Sequence, residues 1–129
     1  MGTSSLAQAP FSVVLPAKDL ARAKDYWVRV VGVEMMDAPG PGTFMAKAGM
    51  GTQFLMYETP LEPTKATAAA FVVSDLMATM AEMRERGMVF MDYDMPGLKT
   101  VNGMVDSPEM GKGAWFMDTE GNTINIVEM

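Results

Sequence analysis

Three groups of side chains in this chain have the types and spacing to do chemistry. Asp92 and Asp94 lie two residues apart, and Glu82 and Glu85 lie three apart. Paired carboxylates can pass a proton or hold a cation. Met77, Met80 and Met83 recur every third residue in a chain with 16 methionines. Thioethers spaced in that way could hold Cu(I). Phe44, Phe54, Tyr57, Phe90, Tyr93 and Trp115 form an aromatic set that could stack a planar or cationic molecule. Each group also has a plainer reading. Glu82, Arg84, Glu85 and Arg86 fit a solvated helix face, Asp92 and Asp94 fit loop charges, and methionine is an adaptable core filler.

What is missing narrows the chemistry further. The chain has no histidine and no cysteine. This removes disulfides, thiol nucleophiles, His-based acid–base catalysis, the Ser-His-Asp triad and zinc sites of the Cys/His type. The glycine strings GPG at 40–42 and GMGT at 49–52 match neither phosphate-binding signature. A net charge of −6 and a pI near 4.5 argue against nucleic acid, which needs clustered Lys and Arg. No apolar run has membrane-spanning length, so no membrane partner is expected. The start, MGTSSLAQAPF, has neither a basic nor an apolar leader region, and a cytoplasmic location is the expectation.

At 129 residues, 49% of them hydrophobic, the chain has the size of one globular domain. Residues 1–10 read as a tail. FSVVLP at 11–16 reads as a strand ended by Pro16. The next segment reads as a helix capped by Asp19, with Leu20, Ala23, Trp27 and Val30 or Val31 on one face and Gly32 as its stop. A short strand, the turn cluster PGPG at 39–42, and a hairpin about residues 49–51 follow. Residues 59–67 read as a linker. The pattern then restarts: a strand within 69–74, a helix capped by Asp75 and stopped by Gly87, a strand over 88–93, a long loop over 94–112, and a closing hairpin about 119–122. A loop that long suits a lid or a binding segment.

The two halves repeat each other. Asp-Leu opens each helix and Gly closes it. Each final hairpin begins with Gly, turns on a Gly-bearing loop and ends in Glu. Aligning Asp19 with Asp75 gives an offset of 56, and aligning Thr52 with Thr123 gives 71. The expected fold is α+β: two tandem βαβββ modules, about 11–58 and 68–128, whose curved mixed sheets enclose a cavity within a single domain over 11–128.

VVLPAKDLARAKDYWVRVVGVE, FVVSDLMATMAEMRERGMVF and GKGAWFMDTEGNTINIVE resemble the vicinal oxygen chelate superfamily of glyoxalases, bleomycin-resistance proteins and extradiol dioxygenases. The resemblance covers residues 11–128. It implies four metal-ligand positions, His, Glu or Gln in metal-dependent members, two on each module. Here they fall on Ser12 and Ala68 of the opening strands and on Phe54 and Asn125 of the last strands. Ala and Phe offer no donor, and Ser and Asn make a poor site. A slip of one residue brings in Gln53 or Leu55, Ile124 or Ile126, Phe11 or Val13, and restores no His/Glu set. The resemblance therefore implies a metal-free member without a cofactor. It would bind a hydrophobic or aromatic small molecule in a central cavity through Ser12, Phe54, Ala68, Asn125, Trp115, Tyr57 and Tyr93. It also implies a homodimer, because curved sheets leave edges to cover. Two other classes stay open: a lyase, isomerase or dioxygenase acting through an unrecognised site, and a ligand-free or engineered scaffold.

Overall fold

A computed structural model describes residues 2–129. Two modules of like topology are visible in it. The first contains β1 (Val13–Ala17), α1 (Leu20–Asp25), β2 (Glu34–Met36), β3 (Thr43–Lys47) and β4 (Gln53–Glu58). The second contains β5 (Thr67–Val73), α2 (Leu76–Glu85), the small hairpin β6 (Asp94–Met95) and β7 (Leu98–Lys99), then β8 (Met104–Ser107), β9 (Gly111–Met117) and β10 (Thr123–Glu128). Their sheets have the same strand order, β1-β4-β3-β2 and β5-β10-β9-β8. In each, the opening strand runs parallel to the last one and the remaining pairs are antiparallel. No helix among the described residues is long and apolar enough to cross a membrane. The N-terminal residues contribute one short turn, Leu6–Gln8, with nothing buried.

Both helices start where a side chain caps the first turn. Asp19 accepts from the Arg22 N–H and Asp75 from the Ala78 N–H, each at 3.0 Å. A second carboxylate braces each start from the sheet: Glu58 accepts from the Leu20 N–H and Glu128 from the Leu76 N–H. After Asp25 the first helix widens into a π-helix over Tyr26–Val31, and the Gly32 N–H bonds back to the Trp27 carbonyl at 2.9 Å. Gly32 ends it with φ +83°, in the left-handed region that favours glycine. A β-carbon there would collide with the Arg86 guanidinium, which donates to the Val30 carbonyl.

One core serves both modules. Trp27 lies 4.8 Å from Phe54 of the first sheet, and 6.3 and 6.2 Å from Phe71 and Phe116 of the second, between ring centres. Leu15, Phe44 and Met56 join it from one sheet, and Phe116, Ile124 and Ile126 from the other. The helices therefore face an interior shared by the inner faces of both sheets. The opposite, outer faces point away from it, because alternate residues of a strand project to opposite sides. Met80 and Met83 are buried in this core while Met77 is 64% exposed. The three-residue methionine spacing thus does not gather three thioethers, and the core-filler reading holds for two of them.

The strand expected over 88–93 is not formed. Phe90 makes a single bridge to Phe116, and the Met91 N–H bonds to the Trp115 carbonyl. Beyond that point the backbone is taken by the following loop. The Asp92 carboxylate accepts from the Thr100 hydroxyl and the Gly103 N–H, and the Tyr93 N–H donates to Thr100 Oγ1. The segment expected to be a long loop, 94–112, instead carries β6, β7 and β8.

Candidate functional site

The two helix braces fix how the modules superpose. Glu58 and Glu128 do the same work on equivalent helix starts, so the last strands correspond with an offset of 70, not the 71 given by Thr52 and Thr123. Strand register agrees: Val14 pairs with Leu55, and Ala70, which is 56 residues after Val14, pairs with Asn125. The pseudo-symmetric partner of Asn125 is therefore Leu55 rather than Phe54. The alignment slipped because it matched Thr52, the last residue of the first turn, with Thr123, the first residue of β10; the turns themselves, 48–52 and 118–122, are equally long. Phe54 corresponds to Ile124, and both are buried in the shared core.

The expected site residues accordingly divide into three places. Phe54 faces inward, against Trp27. Ser12 and Tyr57 lie with Leu55 on the outer side of the first sheet. Ala68, Asn125 and Trp115 lie on the outer side of the second, where Asn125 is directly opposite Trp115 on β9. Tyr93 joins this last group. Its ring meets the Trp115 indole edge-on, 5.5 Å between centres at 81°. The structure thus brings together Trp115, Tyr93, Asn125 and Ala68, and leaves Ser12, Tyr57 and Phe54 elsewhere.

The second sheet's outer face is built with some care for orientation. The Trp115 indole N–H donates to Thr67 Oγ1 at 3.1 Å, which sets the ring's direction. The Tyr93 hydroxyl rests 3.5 Å from the Met91 sulfur. Asn125 Nδ2 donates to the Ala114 carbonyl at 2.9 Å. Among the described residues nothing donates to Asn125 Oδ1, so an acceptor stands beside an aromatic corner. Gly113, opposite Val127, keeps the space next to the amide open; a β-carbon there would come within 3.6 Å of Asn125 Nδ2.

Between the modules lies a cavity of about 390 Å³. Its walls include Val13, Leu15, Trp27, Phe54, Phe71 and Ile124. Trp27 and Phe71 are wall residues that no spacing rule singled out; Trp27 shows only as a core-facing helix position. A third, wide groove is lined by Arg84, Phe90 and Asp92. Its charges are already engaged. Arg84 donates to the Asn102 carbonyl and sits 5.1 Å over the Phe90 ring, and the Thr100 and Gly103 donors hold Asp92 below the usual carboxylate range. Asp92 is thus a loop-ordering group, and Asp94 lies in the β6–β7 hairpin.

The turn between β9 and β10 joins the modules. Trp27 Nε1 donates to Asp118 Oδ2 at 3.0 Å, and Asn122 Nδ2 donates to the Pro16 carbonyl at 3.0 Å and to Asp118 at 2.9 Å. Glu120 takes both Arg22 Nε and Nη2, at 2.8 and 3.0 Å, and the Asp19 N–H at 2.9 Å. Its side chain is fully buried. Burial alone would push the carboxyl up, but the Arg22, Asp19 and Thr119 donors outweigh it and pull it down to about 2.

The model for the Glyoxalase/Bleomycin resistance protein/Dioxygenase superfamily matches residues 10–126. The chain belongs to this superfamily. Among solved structures it is similar to TnmS3, an antibiotic binding protein from Streptomyces sp. CB03234, with 25% identity, TM-score 0.66, and 91% of this chain and 92% of that one covered. A glyoxalase/bleomycin resistance protein from Catenulispora acidiphila is 17% identical with TM-score 0.70, covering 92% and 96%. A lactoylglutathione lyase from Agrobacterium tumefaciens is 15% identical with TM-score 0.68, covering 93% and 92%. The last two speak for the fold alone. No curated protein matches in sequence.

Metal chemistry is implied by part of this superfamily, and the donor set can be tested against it. With the corrected register the four positions hold Ser12, Leu55, Ala68 and Asn125. Leu and Ala have no donor atom, and a hydroxyl and an amide supply no charge for a divalent ion. Two of the four lie on one outer face and two on the other. Among the described residues no three Asp or Glu side chains gather as a metal-binding group. These residues do not fit a metal.

Proposed function

We propose that the protein binds a planar aromatic or hydrophobic small molecule without a metal, on the outer face of the second sheet. The Trp115–Tyr93 corner beside Asn125 carries this reading. Two rings at right angles offer one face for stacking and one edge for contact, and the adjoining amide offers a single acceptor to a ligand hydroxyl or N–H. The absence of donors at the metal positions supports binding over chelate chemistry. The likeness to an antibiotic binding protein at 25% identity supports the ligand class.

In a single chain this face is open, and the outer faces carry exposed apolar residues, Val14 at 54% and Met117 at 47%. A second copy would cover them and complete the enclosure, so the proposal includes a homodimer. Light scattering after size exclusion should return twice the chain mass at micromolar concentration; the mass of one chain would remove that part.

The binding test is a panel of aromatic compounds titrated against the protein while Trp emission is followed. Binding should quench Trp115, and Trp115→Ala should weaken affinity by about tenfold or more, since an aromatic pair is worth about 0.5–1.5 kcal/mol beyond its buried area. A panel that changes neither emission nor melting temperature would leave a scaffold, and turnover of a bound compound would make the protein an enzyme.

A further inference from the structure

The inter-module cavity is separate from the Trp115 face. Its residues Phe54, Phe71 and Ile124 are on the inner sides of the two sheets, whereas Asn125 and Trp115 are on the outer side of theirs; Ala70 and Val72 of β5 border it only from the sheet edge. Successive residues 69–72 all reach it, which shows that it runs along the unpaired edge of β5. The loop 49–51 stands at its mouth. There Met50 is fully exposed and held at φ +56°, a left-handed conformation uncommon for a side-chain-bearing residue. Phe11, 99% exposed, lies at the same mouth.

The wall chemistry specifies what the cavity can hold. None of its lining residues is charged. The one indole N–H in the wall is spent on Asp118, and the Thr52 hydroxyl is spent on the Gly49 carbonyl. Among the polar side chains that line it, only the exposed Gln53 amide at the rim has no hydrogen bond. A charged molecule would lose its hydration here without compensation, whereas an apolar one would lose nothing. The volume is within the range of small-molecule pockets.

We propose that this cavity is a second ligand site, taking an uncharged, mainly aromatic or alkyl molecule with at most one polar group, which would meet Gln53. Two large exposed apolar side chains at the mouth of an apolar cavity are suited to close over such a guest. The site does not depend on the proposed function of the outer face: either can fail alone.

The chain has two tryptophans, one in each place, and this makes the test direct. The probe is N-phenyl-1-naphthylamine, which is neutral and apolar. In Trp115→Phe the sole remaining indole is Trp27, in the cavity wall. The probe should bind saturably with a stoichiometry of one per chain and quench Trp27. Ala69→Phe, which fills the cavity from the edge strand, should abolish that quenching. The same Ala69→Phe change in the presence of Trp115 should leave Trp115 quenching by outer-face ligands intact, which also reports that the variant is folded. Three results would overturn the site: Trp27 emission unchanged by the probe, quenching that survives Ala69→Phe, or probe affinity that falls as protein concentration rises. The last would show that a second copy occupies the cavity.

Discussion

Glu120→Gln examines how the modules are held together. The native carboxylate sits in the second module, while Arg22 and the Asp19 N–H, which bind it, belong to the first. The buried carboxyl falls from an ordinary 4.5 to about 2 on folding. At about 1.36 kcal/mol per pH unit this corresponds to about 3 kcal/mol of stability, as an order of magnitude. Because the folded carboxyl is the stronger acid, the unfolded chain takes up the proton first on acidification. The contribution is therefore complete above about pH 5 and drains away as the pH falls from 4.5 towards about 2. Glutamine keeps the size and one acceptor but removes the charge. Urea denaturation followed by tryptophan emission at pH 7 should show Glu120→Gln less stable by about 2–3 kcal/mol. At pH 3 the gap should narrow to about 1 kcal/mol, because the native protein has by then lost most of this term. A gap below about 0.5 kcal/mol at pH 7, the size of an exposed pair, would refute the reasoning. So would a gap that is equal at both pH values.

Three further outcomes follow from local geometry. Gly32→Ala should cost about 1–2 kcal/mol in chemical denaturation, since a positive φ is disfavoured and the new β-carbon displaces Arg86 from the Val30 carbonyl. Asp75→Ala should cost about 1 kcal/mol by removing the Ala78 cap, and Asp75→Asn should recover most of it. Met56→Ala, at a fully buried position in the middle of β4, should cost about 2–5 kcal/mol in the same assay, with Met56→Leu nearly neutral.

Much of the fold was legible because local signals and long-range packing agree. Asp19, Asp75 and Gly32 mark helix ends in the sequence and do so in the structure. The β3–β4 and β9–β10 hairpins stand where their turns imply. What the sequence hid is tertiary. Residues 88–93 have strand-like composition, yet Asp92 accepts from Thr100 and Gly103 of the following loop and the Tyr93 N–H donates to Thr100. Alternation along β10 places Asn125 and Ile124 on opposite faces, but the register with β5 skips Ala68 between Thr123 and Ile124, and Thr123, which alternation puts with Asn125, is buried. The correspondence of Asn125 with Leu55 rather than Phe54 follows from the strand register and from Glu58 and Glu128 acting alike, whereas matching the two threonines near the turns shifts it by one. Trp115 and Tyr93 were recognisable as aromatic candidates, but their right-angled contact spans a loop whose path only the structure shows. Trp27 looked like an ordinary core residue, and its place in a cavity wall follows from two modules meeting around it.

The central claim is metal-independent binding at the Trp115–Tyr93 corner. A titration of an aromatic ligand from the panel into Trp27→Phe protein, where Trp115 alone reports, with and without prior dialysis against EDTA, tests it most directly. The account predicts saturable quenching with the same affinity in both samples, lost in Tyr93→Ala. Quenching that appears only when a divalent metal is restored would contradict it.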